Sequence, residues 1–189
     1  MSLPELAIAL ALAWGAGLRA YAVVFAVGLA GAAGWVELPG HLEVLQHPVV
    51  ILASGFMTLV EFGADKMPWL DSVWDAVHSF VRIPAGAALA AMAFGDSTSA
   101  VMVAAGLLGG SLAAAMHVTK AGARATINLS PEPFSNWAAS LSEDTLVPVG
   151  LWLAFAHPLV FLVLLVLLLV GAAFLMRLLW RGLRRLASA

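Results

Sequence analysis

The sequence predicts an all-α integral membrane protein of about seven spanning or re-entrant helices. Three observations predict it. Of the 189 residues, 62% are hydrophobic and 11% are charged, too little polar surface to cover a water-soluble globule. Apolar runs of roughly membrane-spanning length recur along the chain, for a mean hydropathy of +0.99. The basic residues fall at alternate breaks between those runs, which is the pattern that fixes the orientation of a multi-pass protein.

The elements follow in order. The first two runs, 4–15 and 20–36, flank Arg19 in the stretch W-G-A-G-L-R-A-Y-A-V. A guanidinium at the centre of a bilayer costs about 2.5–3.5 kcal/mol on the insertion scale, so Arg19 is expected at a tight turn on the membrane surface. No Lys or Arg precedes the first run, and Glu5 stands where a leader's positive region would be, so a cleavable signal peptide is not expected. The third run is 48–65. A fourth, 83–95, is short, and the last three are 99–119, 137–156 and 158–178.

Arg177, Arg181, Arg184 and Arg185 follow the last run, which makes that end cytoplasmic. Counting back, Lys120 and Arg124, Lys66 and Arg82, and Arg19 all come to the same side. Glu5, Glu37, Glu43 and Asp96 come to the other. The amino terminus is therefore expected outside and the carboxyl terminus in the cytoplasm of a bacterial inner membrane.

Two short segments recur. A-G-L-R-A at 16–20 returns as A-G-A-R-A at 121–125, and H-P-V-V-I-L at 47–52 returns as H-P-L-V-F-L at 157–162. In a chain with five His and nine Pro the matched Arg, His and Pro carry the comparison. They predict a parallel 3+1+3 internal repeat: three helices in 1–65, a linker helix at 83–95, three helices in 99–180, and a basic tail at 181–189. Arg124 is expected to cap a turn as Arg19 does.

Between the third and fourth runs, residues 66–82 are amphipathic at helical spacing. Trp69, Val73, Trp74, Val77 and Phe80 share one side; Asp71, Asp75, His78, Ser79 and Arg82 share the other. This predicts a helix lying in the cytoplasmic interface with a solvated polar face. Asp71, Asp75 and His78, at i, i+4 and i+7, are candidate ligands for a divalent cation.

The stretch N-L-S-P-E-P-F-S-N-W-A-A-S-L-S-E-D-T-L-V-P-V-G at 128–150 is the most informative. Prolines on both sides of Glu132 forbid a continuous helix, and Ser135 suits an N-cap for one starting near Asn136. Glu143 and Asp144 then lie about two turns inside it, and Pro148 withholds the hydrogen bond that Asp144 O would accept. A freed carbonyl beside two carboxylates suits a cation or a proton. Alternatively the helix starts later, with Ser140 and Glu143 as a surface capping box.

Glu61 and Asp65 form a second acidic pair at the end of the third run, and Glu61 is expected to pair with Arg19 or Arg124. His117 and Lys120 end the fifth at a similar depth, where a structural cap is the commoner role. The candidate ion- or substrate-binding residues are thus Glu61, Asp65, Glu143, Asp144, Arg19, Arg124, Asn136 and His117.

Without cysteine there is no disulfide, thiolate metal site or thiol catalysis. No phosphate loop, nucleophile elbow, zinc-protease helix or dinucleotide fingerprint occurs, and no basic aromatic surface for nucleic acid. No cofactor is expected beyond the divalent cation above. The partners expected are the bilayer and its anionic lipids at the cytoplasmic face, with room for a homo-oligomer.

G-L-R-A-Y at 17–21, E-x-x-A-D-K-x-P at 61–68 and S-P-E-P-F-S-N-x-x-x-S-x-x-E-D at 130–144 resemble a family of small bacterial inner-membrane proteins defined by a domain of unknown function, DUF4126. The resemblance covers roughly residues 10–175 and implies a bacterial inner-membrane location, with no activity attached. From the residues, the expected function is a small transporter or channel for an ion or small solute, with a charged cluster in its cytoplasmic half. The alternatives are an enzyme acting on lipid headgroups through a carboxylate-bound metal, and a scaffold subunit of a membrane complex.

Overall fold

A computed structural model describes residues 2–128 and 134–187, with side chains described except at 68, 69, 175, 176 and 178–187. The described residues form helices joined by short turns, without strands. The helices are α1 (Leu3–Ala32), α2 (Pro48–Ala64), α3 (Pro68–Met92), α4 (Ser99–Ile127), α5 (Phe134–Ala156) and α6 (Pro158–Ala187), with a short 3₁₀ helix Gly40–Gln46 between α1 and α2.

α1 starts on a capping box, in which Ser2 Oγ accepts from Glu5 N and the Glu5 carboxylate accepts from Ser2 N. It is interrupted at Arg19, whose backbone (φ −148°, ψ 79°) is not helical. The interruption folds the helix on itself. Val23 Cγ2 lies 2.7 Å from where a methyl on Gly15 would stand, whereas eight residues of straight helix separate two positions by about 12 Å. The expected turn at Arg19 is therefore present, as a break inside one helix, but Arg19 is not at a surface: its side chain is buried, where Asp65 and Ser140 partner it. Gly34, at φ +73°, ends α1: Trp35 N donates to Ala30 O and Gly34 N to Gly31 O, closing the last turn.

α1 is the centre of the molecule. Its first arm meets α3 and α4 through small residues: a methyl on Gly17 would stand 2.5 Å from Ala113 O. Trp14 packs edge-on to Phe161 of α6 and against Gly150 of α5. Its second arm meets α2, where Phe25 covers Gly55, and the 3₁₀ segment, where Leu38, Leu42 and Leu45 are buried. Both ends of α1 thus lie near the far ends of α3 and α4, and Arg19 lies at the opposite end of the bundle.

Several elements differ from expectation. Residues 66–82 and 83–95 are not an interfacial helix and a separate linker: one helix, α3, runs through both, with Pro84 inside it. Its polar face is not solvated. Asp71, Asp75, His78 and Arg82 are buried, while Val73, Val77 and Phe80 are exposed, because the charges find partners within the bundle. α4 continues past 119 to Ile127, so Arg124 sits in a helical last turn and caps no sharp turn. α5 already contains Ser135 and Ser140, which rules out the surface capping box at Ser140 and Glu143. α6 continues into the expected basic tail. Residues 129–133, and with them the break at Glu132, lie outside the described residues, as do the side chains of Arg181, Arg184 and Arg185.

By length and composition α1 and α4 are apolar enough to cross a membrane, and a third span is available if the 3₁₀ segment and α2, bent by 73°, count as one. The apolar part of α6, Pro158–Phe174, is shorter.

Candidate functional site

At the Arg19 end, charged side chains from five helices meet in the interior. The break in α1 places Arg19 there: its Nη2 lies 2.8 Å from Asp65 Oδ2, and it donates to Ser140 Oγ at 3.0 Å. Lys120 Nζ donates to Leu18 O beside the break and to Asp65 Oδ2, at 3.2 and 3.0 Å. One turn further along α4, on the same face, Arg124 donates to Asn136 Oδ1, to Asn136 O at 3.0 Å and to Asp65 O at 3.2 Å.

Asp65 is thus the hub. It follows the last turn of α2 and collects Arg19, Lys120 and Arg124, the last at 3.7 Å. Burial pushes its carboxyl up, but the Lys120 and Arg19 charges outweigh that and hold it below the ordinary value. Neighbouring Lys66, in the same connection, is held below the ordinary lysine range, first by burial, against the pull of Asp144.

The same three cations surround Glu143 of α5. Lys120 Nζ is 3.1 Å from Oε2, Arg19 Nε is 3.6 Å from Oε2, and Arg124 Nη2 is 3.4 Å from Oε1. Asp144 lies 3.2 Å from Arg19 Nη1 and 3.9 Å from Lys66. Arg19 and Arg124, the two arginines of the recurring A-G-x-R-A segment, therefore share one pair of carboxylates.

Beside this lies a second group. Arg82 donates to Glu61 Oε1 and to Asp75 Oδ1, both at 2.6 Å, so Glu61 pairs with Arg82 of the facing helix and not, as expected, with Arg19 or Arg124. Its Nη1 is also 3.3 Å from His117 Nδ1, and His117 Nε2 is 2.7 Å from Ser79 Oγ. A guanidinium only donates, so Nδ1 accepts and Nε2 carries the hydrogen; His117 is not set to take a proton from Ser79. His78 stacks on Trp74, with ring centroids 4.0 Å apart, and Tyr21 meets it edge-on.

The charges are nearly matched. Arg19, Arg82, Lys120 and Arg124 face Glu61, Asp65, Asp71 and Asp75 one for one, all buried. Glu143 and Asp144 add two carboxylates and Lys66, 3.9 Å from Asp144, adds one cation, which leaves a surplus of one carboxylate. The side chains of Glu143, Asp144 and Lys66, 13%, 23% and 26% exposed, are the ones that reach the surface. Buried ions cost several kcal/mol each to desolvate, so a surplus of carboxylate in such a place is a place for a compensating positive charge.

The structure brings together Glu61, Asp65, Glu143, Asp144, Arg19, Arg124, Asn136 and His117, all named from the sequence. It does not gather Asp71, Asp75 and His78 as ligands. Asp75 is taken by Arg82 and Lys120, Asp71 accepts from Asn128 at 2.9 Å, and His78 Nδ1 pairs with Trp74 O. Among the described residues no three such side chains are placed to hold a metal ion. The sequence reading left Arg82, Lys120 and Ser140 out of the site. Two of the three had a signal: Arg82 shares a helix face with Asp75, and Lys120 with Arg124.

The chain belongs to the family described as domain of unknown function (DUF4126), whose sequence model matches residues 6–178. No curated protein and no solved structure matches it.

Proposed function

We propose that this member of the family is a multi-pass bacterial inner-membrane transporter or channel for an ion or small solute, in which Glu143 and Asp144 take up and release the positive charge. The observation that carries this reading is the sharing of Asp65 and Glu143 by Arg19 and Arg124 inside the bundle, with the carboxylate surplus on the partly exposed helix.

In this reading the two arms of α1 and helices α2 to α6 each cross the bilayer, with the charged end in the cytoplasm. That orientation is supported by Arg19, Lys66, Arg82, Lys120 and Arg124 lying together at that end. α3 separates two triplets, α1 arms with α2 and α4 with α5 and α6, as a parallel repeat requires. Pro148 breaks the hydrogen bonding of α5 one turn from Asp144. It also lines an apolar groove of about 460 Å³ between α1 and α5, with Ala26, Val27, Trp35, Trp152 and Phe155.

The test is flux in proteoliposomes under an imposed gradient of protons, monovalent cations or small anions. The Glu143→Gln, Asp144→Asn double variant is expected to insert and fold, and to reduce flux to that of empty vesicles. Unchanged flux in the folded variant would sink the reading. A folded wild-type protein without flux, co-purifying with a constant partner, would favour the scaffold reading, since the same ion pairs tie five helices together.

A further inference from the structure

The cations around Glu143 are not well used by it. Arg19 Nε and Arg124 Nη2 belong to side chains 1% exposed, lie 3.6 and 3.4 Å from the Glu143 carboxylate, and make no hydrogen bond to any described residue. Asn136 Nδ2, equally buried beside Arg124, has no partner among them either. A buried guanidinium N–H left without an acceptor is costly, so these donors suit a better-placed acceptor than Glu143 provides. Arginine forks and an ammonium converging from two helices are the usual recognition of carboxylate or phosphate oxygens.

We propose that Arg19, Lys120 and Arg124 form an oxyanion site in which the Glu143 carboxylate is an internal surrogate, replaced by a small carboxylate- or phosphate-type anion when Glu143 is neutralised. This rests on the transport reading and deepens it: the solute is an anion, and it enters together with a proton. One proton on Glu143 removes one negative charge and one monoanion restores it, so the buried charge is unchanged by loading.

The groups that face Glu143 agree with this. From α1 comes Arg19; from α4, Lys120 and Arg124; from the α2–α3 connection, Asp65 and, through Asp144, Lys66. From α3, Asp75 reaches Lys120 at 3.6 Å and Asp71 reaches Arg124 at 3.9 Å. Asp65, fully buried, keeps its hold on all three cations throughout. Glu143 is the member of the pair that reaches the surface and so can be exchanged.

The test is thermal unfolding of the purified full chain in detergent, with formate replacing the bulky sulfonate isethionate at constant ionic strength and neutral pH. Glu143→Ala is expected to gain stability saturably with formate, by about 5 °C or more at a hundredfold excess over the dissociation constant. Wild type and the Glu143→Ala, Arg124→Gln double variant are expected not to. Glu143→Ser, which also vacates the place of the carboxylate, repeats the formate test should the alanine variant fail to fold. A parallel titration with phosphatidylglycerol tells the source of the oxyanion: stabilisation by the lipid alone makes it a headgroup phosphate, stabilisation by formate a free solute. A folded Glu143 variant that no anion stabilises overturns the inference. The flux test is independent of it, since proton or cation flux that needs no anion would leave the transport reading standing.

Discussion

Glu61 on α2 accepts a hydrogen bond from Arg82 on α3 at 2.6 Å, and neither side chain is more than 1% exposed. Removing one partner leaves a charge in a place without water, so Arg82→Gln or Glu61→Gln is expected to cost about 3–5 kcal/mol. The double variant Glu61→Gln, Arg82→Gln should cost clearly less than the two together. Unfolding in mixed detergent micelles measures all three; additive losses would mean that the pair is not coupled.

Acid sensitivity is expected to centre on Asp65. Its carboxyl titrates below the ordinary aspartate value of 3.8, so its pairing stabilises the fold fully above that pH and is lost as pH falls through the lower, folded value. Asp65→Asn should be less stable than wild type near neutrality and should lose less further stability between about pH 4 and 2. Melting curves across that range decide it.

The lysines on either side of that hub should behave oppositely. Lys66 is a quarter exposed and 3.9 Å from Asp144, so Lys66→Ala is expected to stay within about 0.5 kcal/mol of wild type. Lys120 is buried and meets Asp65, Asp75 and Glu143, so Lys120→Ala should cost several kcal/mol. Equal effects in the two variants would contradict the assignment of the interior charges.

Two glycines provide a packing test. At Gly17 a methyl would meet backbone, 2.5 Å from Ala113 O and 2.9 Å from Ala113 Cα, and neither can swing away. Gly17→Ala is expected to destabilise by about 1–3 kcal/mol. At Gly122, also helical, nothing lies within 4 Å, and Gly122→Ala should gain about 0.4–1 kcal/mol from helix propensity. The same unfolding measurement reads both signs.

Much of the site was legible in the sequence. Arg19 inside an apolar run demanded either a break or a partner, and it has both. Glu143 and Asp144 stood out because α5 has no other charge and carries Pro148 one turn further on. The direction of α3 was not legible. Periodicity shows which residues share a face, not which way the face turns, and Asp71, Asp75 and Arg82 turn inward because their partners are Lys120, Arg124 and Glu61 on other helices. Such pairs are distant in sequence, as Lys120 is from Asp65, and no local pattern announces them. The extent of the helices was misjudged for a related reason: Pro84 removes one hydrogen bond from α3, and the packing of α3 on α1 and α4 carries the helix past it.

The pairing of Arg19 with Asp65 also sets an order of events during synthesis. Chains emerge amino terminus first at about 5–20 residues per second, so Arg19 reaches the membrane seconds before Asp65 exists, and longer still before α5 brings Glu143. Through that interval an unmatched guanidinium is most cheaply kept at the lipid–water boundary, with the two arms of α1 hanging from it like a staple not yet closed. In the arrangement proposed above the final helices do more than extend the protein: their arrival lets the earlier ones settle to depth, and a chain truncated before α5 is expected to remain shallow, exposed and open to proteolysis.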